Sequence, residues 1–198
     1  QRDGKHQVVG VAAGGALEVR CTGHRHHDGA CVVVQDGGLA QALEAHLSAL
    51  PLAQDPGAKA IGVKISGCPN SCGQHHIADI GFYGSSRKVG EREVPHYVLL
   101  LGGRTREGEA RFGQVVGRIP ARRVPEAVER ILKRYLEERQ NGESFQAYLD
   151  RVGAASFKPL LQDLQEVPPY EEAPEFYQDL GAEGEAFSVQ LGRGECAV

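Results

Sequence analysis

Short apolar runs separated by glycine and polar residues dominate the first half of the chain. Runs of four to six residues bounded by turn-forming residues are typical of β-strands. They predict strands at residues 8–11, 17–20, 31–34, 60–65, 79–83 and 96–101. Between the last two strands, a polar stretch that contains Arg87, Lys88 and Arg92 predicts a loop.

Helical spacing marks three segments. Leucines at 39, 43, 47 and 50 recur every three or four residues, and Pro51 ends this predicted helix. Residues 124–136 carry their apolar side chains on one helical face, and residues 144–152 predict a further helix. From residue 167 the chain is acidic and rich in proline, which predicts an extended tail. The pattern therefore predicts an α+β fold, with a mixed, largely antiparallel sheet covered by helices and an extended C-terminal tail.

Composition and charge narrow the classes of function. The chain has 198 residues, 41% of them hydrophobic, which suits one domain with a core and an appendage. Its formal net charge of -4 argues against nucleic acid as a partner. No apolar run approaches the ~20 residues that cross a bilayer, and the sequence opens without an export signal. We therefore expect a cytoplasmic protein that does not bind membranes. A start at Gln1 and the absence of Met predict a processed or partial chain.

The cysteines carry the candidate chemistry. Five cysteines in a chain without an export signal favour metal or redox chemistry over a disulfide framework. Cys68 and Cys72 are separated by three residues directly after a predicted strand, and their thiolates suit an iron–sulfur cluster or zinc. Gly67 allows close approach of the backbone and Pro69 fixes one torsion angle. The alternative interpretation is a turn with two structural thiols. Cys196, in the tail, is predicted to be a free thiol.

A longer string around these cysteines resembles a known family. Residues 65–84, ISGCPNSCGQHHIADIGFYG, closely resemble the cluster motif of the sirohaem-dependent nitrite and sulfite reductases. The resemblance extends to Gly102-Gly103 and to the helix at 124–136. An enzyme of this family contains two related halves. The resemblance implies that this chain is a nitrite/sulfite reductase-like half, the one that binds a 4Fe-4S cluster and sirohaem. The implied reaction is the six-electron reduction of nitrite to ammonia or of sulfite to sulfide, and activity of this chain alone stays an open question.

The resemblance also implies a set of cluster ligands. The family uses a first cysteine pair five residues apart and then the pair three residues apart, so Cys68 is implied as a ligand and Cys72 as the ligand that bridges to the sirohaem. Cys31 fits the first cysteine of the upstream pair, but Gly37 stands where the second is expected. Cys21 is the candidate substitute. An incomplete or absent cluster is the alternative.

Other residues around the motif are predicted to bind the cofactor or the substrate. Sirohaem carries eight carboxylates, so its pocket needs cations and amide donors. We expect Asn70, Gln74 and Arg104 to join Cys72 in holding it. Lys64 and Arg87 are predicted to act catalytically on the substrate anion. His75 and His76 are interpreted as turn histidines rather than as metal ligands.

The resemblance further implies partners and a division of the chain. The partners are a small inorganic anion (nitrite or sulfite), an electron donor such as ferredoxin and a second homologous half. Residues 1–20 are predicted as a partial ferredoxin-like segment, 21–142 as the sirohaem- and 4Fe-4S-binding domain, and 143–198 as C-terminal helices and tail. The competing hypothesis is a non-catalytic iron–sulfur or zinc module for electron transfer or scaffolding. Zinc in that module would use Cys21, Cys31 and the three histidines between them, His24, His26 and His27.

Overall fold

The computed structural model describes residues 8–9, 19–22, 36–106, 108–182 and 184–189, with side chains from Gly38 onward except that of Arg106. The strands are Val8–Val9 (β1), Val19–Thr22 (β2), Val63–Ser66 (β3), Ile80–Val89 (β4), Arg92–Leu101 (β5), Arg104–Arg106 (β6), Glu109–Arg111 (β7) and Gln114–Pro120 (β8). The α-helices are Asp36–Ser48 (α1), Pro56–Lys59 (α2), Val124–Glu138 (α3) and Phe145–Val152 (α4).

Six of these strands form one mixed sheet in the order β1-β2-β3-β4-β5-β8. The pairs β2–β3 and β3–β4 are parallel, whereas β1–β2, β4–β5 and β5–β8 are antiparallel. Strands β6 and β7 form a separate hairpin. The predicted α+β class with a mixed, largely antiparallel sheet is therefore confirmed.

One face of the sheet packs against the helices and forms the core. In register across the sheet, Ile65 pairs with Phe82 and Phe82 with Leu99, and all three are fully buried. The leucine stripe of α1 and the apolar face of α3 cover them, as the helical spacing predicted. We call the opposite face of the sheet, which carries Lys64, Ser66, Gly81 and Tyr83, the outer face.

The predicted loop around Arg87 is wrong, because β4 and β5 continue through it as a long hairpin. Arg87 pairs with Val94 and Val89 with Arg92, which leaves a two-residue turn at Gly90 and Glu91. Gly90 has a φ of 60°, a value that glycine adopts readily. The charged side chains of this stretch are exposed while Val94 is buried, so the polar composition concealed a strand.

Strand β8 and the β6–β7 hairpin were not predicted from the sequence, and the predicted strand at 31–34 lies outside the described residues. The segment after α4 forms three successive 3-10 turns, Ala154–Phe157, Pro159–Leu161 and Asp163–Gln165. Beyond residue 166 the described tail is irregular apart from the turn Pro174–Tyr177. No helix in the described part combines the length and apolar character needed to span a bilayer.

Candidate functional site

Residues 67–79, which we call the cysteine crossover, return the chain from the end of β3 to the start of β4. The crossover is required because these two neighbouring strands are parallel. It lies against the outer face through Ser66, the last residue of β3. The Gly73 N–H donates to Ser66 Oγ over 3.1 Å, and His75 Nδ1 is hydrogen-bonded to the same oxygen over 2.8 Å.

Two glycines let the crossover approach the sheet closely. A Cβ atom at Gly81 would lie 2.0 Å from the carbonyl oxygen of His75. A Cβ atom at Gly103 would lie 2.3 Å from the carbonyl oxygen of His76. Such separations are far below van der Waals contact, so only glycine fits at either position without a shift of the backbone.

The turn that carries the cysteines is tightly wound. Ser71 and Gln74 have φ values of 60° and 57°, and the Gln74 N–H donates to Ser71 O over 2.7 Å. Left-handed conformations of non-glycine residues cost of the order of 1 kcal/mol each and persist where surrounding contacts fix them. Cys68 is buried and Cys72 is exposed. The turn therefore presents one thiol towards the protein and the other towards the surface.

Two adjacent histidines follow the turn. His75 is fully buried, and burial, with a smaller effect of His76, lowers its pKa to about 4. Its ring centroid lies 4.8 Å from that of Tyr83 on β4. His76 is held by a 2.9 Å hydrogen bond between its Nδ1 and Ser71 Oγ, and its ring lies 5.3 Å from that of Phe112. His75 is therefore neutral at pH 7 and acts as a packed polar group of the crossover.

Lys64 and Gln74, both predicted as site residues, come together beside the crossover. Lys64 Nζ donates to Gln74 Oε1 over 3.1 Å. Lys64 also lines a cavity of about 240 Å³ together with Arg104. Asp79 and Gln146 lie at the same cavity, and the Gln146 Nε2–H group donates to Asp79 Oδ1 over 2.5 Å.

The remaining predicted residues lie at different distances from the crossover. Asn70 is exposed on the turn itself. Arg87 is exposed near the far end of β4, on the outer face. Arg104 donates to Asp150 over 2.8 Å and lies 3.7 Å from Glu109; the hydrogen bond to Asp150 is the main reason that its pKa is raised. The roles assigned to these residues remain predictions.

His96 is a buried polar residue of the outer face that sequence reasoning missed. Its Nδ1–H donates to Val94 O over 2.9 Å, which leaves Nε2 with no hydrogen-bond partner within the described ranges. Burial is the largest effect on the pKa of His96 and lowers it; the hydrogen bond to Val94 opposes this shift, and the charges of Arg87 and Arg118 add to it. Its position in the apolar stretch 96–101 was the available signal.

The upstream cysteines are described only in part. The backbone of Cys21 lies in β2 and pairs in register with Ile65, close to the start of the crossover. The side chain of Cys21 and all of Cys31 lie outside the described residues. Within the described ranges, no group of three or more His, Cys, Asp or Glu side chains is placed to hold a metal ion. The described thiols thus fit half of a four-cysteine cluster, whose soft sulfur ligands are of the right kind.

Comparison with known families agrees with this geometry. Residues 29–167, well over half of the chain, match the model of the nitrite and sulphite reductase 4Fe-4S domain. The chain belongs to this family. The matched segment contains the cysteine crossover, strands β3 to β8 and the four α-helices, whereas β1 and β2 precede it.

Individual relatives are longer proteins. The chain is 32% identical over 149 residues to the hemoprotein beta-component of NADPH sulfite reductase from Chromohalobacter salexigens, covering 69% of this chain and 24% of the relative. It is 33% identical over 95 residues to ferredoxin sulfite reductase 1 from Mycolicibacterium paratuberculosis, covering 46% of this chain and 17% of that protein. The chain therefore spans a quarter or less of the length of these relatives.

A solved structure supports the family fold. The NirA protein of Mycobacterium tuberculosis is similar to this chain with a TM-score of 0.50 and 29% sequence identity. The similarity covers 61% of this chain and 22% of NirA. A nitrite and sulfite reductase-like fold is thus confirmed for the described part of the chain.

Proposed function

We propose that this chain is the sirohaem- and 4Fe-4S-binding part of an enzyme that reduces nitrite to ammonia or sulfite to sulfide. The observation that supports it best is the cysteine crossover, a strained two-thiol turn on a sheet of the nitrite and sulphite reductase 4Fe-4S family. The relatives named as sulfite reductases favour the same reaction type. When bound, sirohaem and the cluster would supply a site for the anion and a path for single electrons.

The proposed ligands are Cys68 and Cys72 together with Cys21 and Cys31. Cys72 is the exposed member of the described pair, which suits the sulfur shared between cluster and sirohaem. The carboxylates of sirohaem would be bound by the exposed amide of Asn70 and by Gln74 and Arg104. The link between Gln74 and Lys64 would orient the Gln74 side chain.

Cationic side chains would stabilise the substrate anion and supply protons to it. Reduction of nitrite consumes six electrons and eight protons and yields ammonium and two water molecules; sulfite takes the same numbers and yields hydrogen sulfide and three water molecules. Lys64 and Arg87 lie on the outer face, where their charge would lower the energy of the bound anion. Lys64 Nζ can also carry a proton towards it.

The partners and context are part of the proposal. One relative is named for ferredoxin, which favours a donor of that kind. A second homologous half is proposed because the chain spans a quarter or less of its relatives. We also propose the division of the chain into residues 1–20, 21–142 and 143–198. The proposed location is the cytoplasm, where thiolate ligands stay reduced.

The experiment is to produce the chain in cells supplied with iron and sirohaem precursors. We expect the purified chain to show the visible absorption band of the haem and to contain bound iron. Cys68→Ser and Cys72→Ser should remove the iron, whereas the matched control Cys196→Ser should keep it. Absence of both the band and iron from the unmodified chain would refute the proposal.

The second candidate function is a non-catalytic iron–sulfur or zinc module. It is favoured by Gly37, which stands where the second upstream cysteine of the family is expected, and by the cysteines and histidines at residues 21–31. Elemental analysis of the same preparation separates the two candidates. Zinc without iron, or iron without a tetrapyrrole band, would favour the module over the reductase.

A further inference from the structure

Three side-chain hydrogen bonds are among those that hold residues 71–76 of the cysteine crossover in place. Lys64 Nζ binds Gln74 Oε1 in an exposed position, and His76 binds Ser71 Oγ within the crossover itself. The third joins the Gly73 N–H to Ser66 Oγ and is buried. Exposed polar contacts contribute little because solvent competes for both groups. The buried bond to Ser66 therefore ties the turn to the end of β3, and we call it the anchor.

The environment of this anchor makes it rigid. Ser66 is 1% exposed at the end of a strand, and its Oγ is shared by the Gly73 N–H and His75 Nδ1. His75 is fully buried and neutral, so its ring adds no charge next to the turn. The His75 carbonyl in turn rests on Gly81, where there is no room for a side chain. Ser66 thus joins β3 to the turn through two hydrogen bonds, and His75 joins the turn to β4 at Gly81.

The anchored amide belongs to the residue directly after Cys72. Gly73 is buried between Ser71 and Gln74, both in the left-handed conformation. Without Ser66 Oγ, this buried N–H would lose its acceptor, which is unfavourable. The strained turn would then relax, and the backbone of Cys72 would move with it.

We propose that Ser66 is a positioning residue that fixes the direction in which Cys72 presents its sulfur. This inference rests on the proposed function, because it assigns Cys72 as a cluster ligand. Removal of a residue that holds a metal ligand in position typically changes metal affinity by about 10- to 100-fold. Ser66 acts through Gly73 and has no proposed contact with the substrate.

The test compares Ser66→Thr with Ser66→Val, two β-branched variants of nearly equal shape that differ in the hydroxyl group. Both side chains suit a strand, so both are expected to fold. The matched control is Ser85→Ala, which removes a buried hydroxyl on neighbouring β4 that has no hydrogen-bond partner within the described ranges. Cluster loss to an iron chelator and the midpoint potential of the cluster are measured on reconstituted chain.

We expect Ser66→Thr and the control Ser85→Ala to retain the cluster and its midpoint potential. Ser66→Val should lose iron about 10- to 100-fold faster and show a shifted potential. Equal retention and equal potential in the Thr and Val variants would overturn the proposal.

A readout on the cluster-free chain separates this inference from the proposed function. The Gly73 amide should be protected from hydrogen exchange in the unmodified chain and in Ser66→Thr, and at least about tenfold less protected in Ser66→Val. If the chain binds no cluster but this pattern is observed, the proposed function fails while the anchor stands. If Gly73 is equally protected in both variants, the anchor itself is refuted.

Discussion

Two histidines at the outer face, His75 of the cysteine crossover and His96 of β5, are buried and have lowered pKa values. Burial removes the water that would solvate an imidazolium, so the neutral ring is favoured in both cases. Each ring uses Nδ1 for a hydrogen bond, to Ser66 Oγ and to Val94 O respectively. The sheet therefore keeps these two rings uncharged on the face that carries the cysteines.

The pKa of His75 predicts how stability depends on pH. The unfolded chain protonates near pH 6.5 and the folded chain near pH 4, so the unfolded state binds more protons between these values. The contribution of His75 to the free energy of unfolding is fully present above about pH 6.5. It decreases as the pH falls towards 4, by about 3 kcal/mol in total. Urea unfolding at pH 7, 5.5 and 4 measures it.

His75→Asn, which keeps a hydrogen-bonding group near the position of Nδ1, provides the control for that prediction. Its unfolding free energy should fall less steeply with pH than that of the unmodified chain. Parallel pH profiles for the two proteins would contradict the assignment of the slope to His75.

At the scale of single residues, the sequence revealed the thiols but not their support. Cys68 and Cys72 were recognisable because their spacing is a local pattern. The roles of Ser66, His75 and His96 depend on which face of the sheet each occupies and on what covers that face. Burial of this kind arises only when distant segments pack together, so no local pattern contains it.

Among the elements, the cysteine crossover is unusual because it joins two parallel strands without a helix of its own. Only a 3-10 turn, His75–Ile77, interrupts its irregular path. Its backbone lies directly on the sheet at Gly81 and Gly103. The position of the crossover is therefore set by backbone contact as well as by side-chain packing.

Gly81→Ala tests this contact. The new Cβ would lie 2.0 Å from His75 O, so the crossover must move away, and we expect the free energy of unfolding to fall by about 2–3 kcal/mol. Gly62→Ala is the control, because its Cβ would meet Asp79 Oδ2 at an ordinary 3.4 Å. Chemical denaturation of both variants gives the comparison. Equal losses at the two sites would show that the close approach at Gly81 is unimportant.

Elements with a strong local pattern were predicted well. Helix α3 has a continuous apolar face and Pro125 in its first turn, and β3 carries Val63 and Ile65 on its buried face. Strand β8 and the outer arms of the β4–β5 hairpin escaped prediction because both are partly exposed, and the arms are rich in charged residues. Their strand conformation comes from pairing with β5, which is a tertiary property.

At the scale of the whole molecule, one core joins the sheet, the helices and the tail. The ring of Tyr135 on α3 lies 5.3 Å from that of Phe145 and 5.5 Å from that of Tyr148, both on α4. Leu180 from the tail belongs to the same hydrophobic cluster, and Phe187 packs against it. The tail is therefore expected to unfold together with the sheet.

Tyr177 provides a test of that cooperativity. It is 3% exposed, and its hydroxyl donates to Pro168 O over 3.0 Å. Tyr177→Phe removes only the hydrogen bond and should cost about 1 kcal/mol, whereas Tyr177→Ala should cost about 3–5 kcal/mol. Far-ultraviolet and near-ultraviolet circular dichroism should report the same transition midpoint in each variant. Separate midpoints would mean that the tail detaches before the core unfolds.

The register shift between β5 and β8 has a consequence for assembly. Leu99 pairs with Gly117 and Leu100 with Val115, so Val116 is an additional residue that bends the outermost strand. Bent edges that end in proline, as β8 does at Pro120, offer a poor template for a further strand. Extension of the sheet across β8 is thereby disfavoured, as is the edge-to-edge aggregation that a flat margin invites. Any larger enzyme built on this chain would then meet it at this side through packed surfaces rather than by adding a strand to β8.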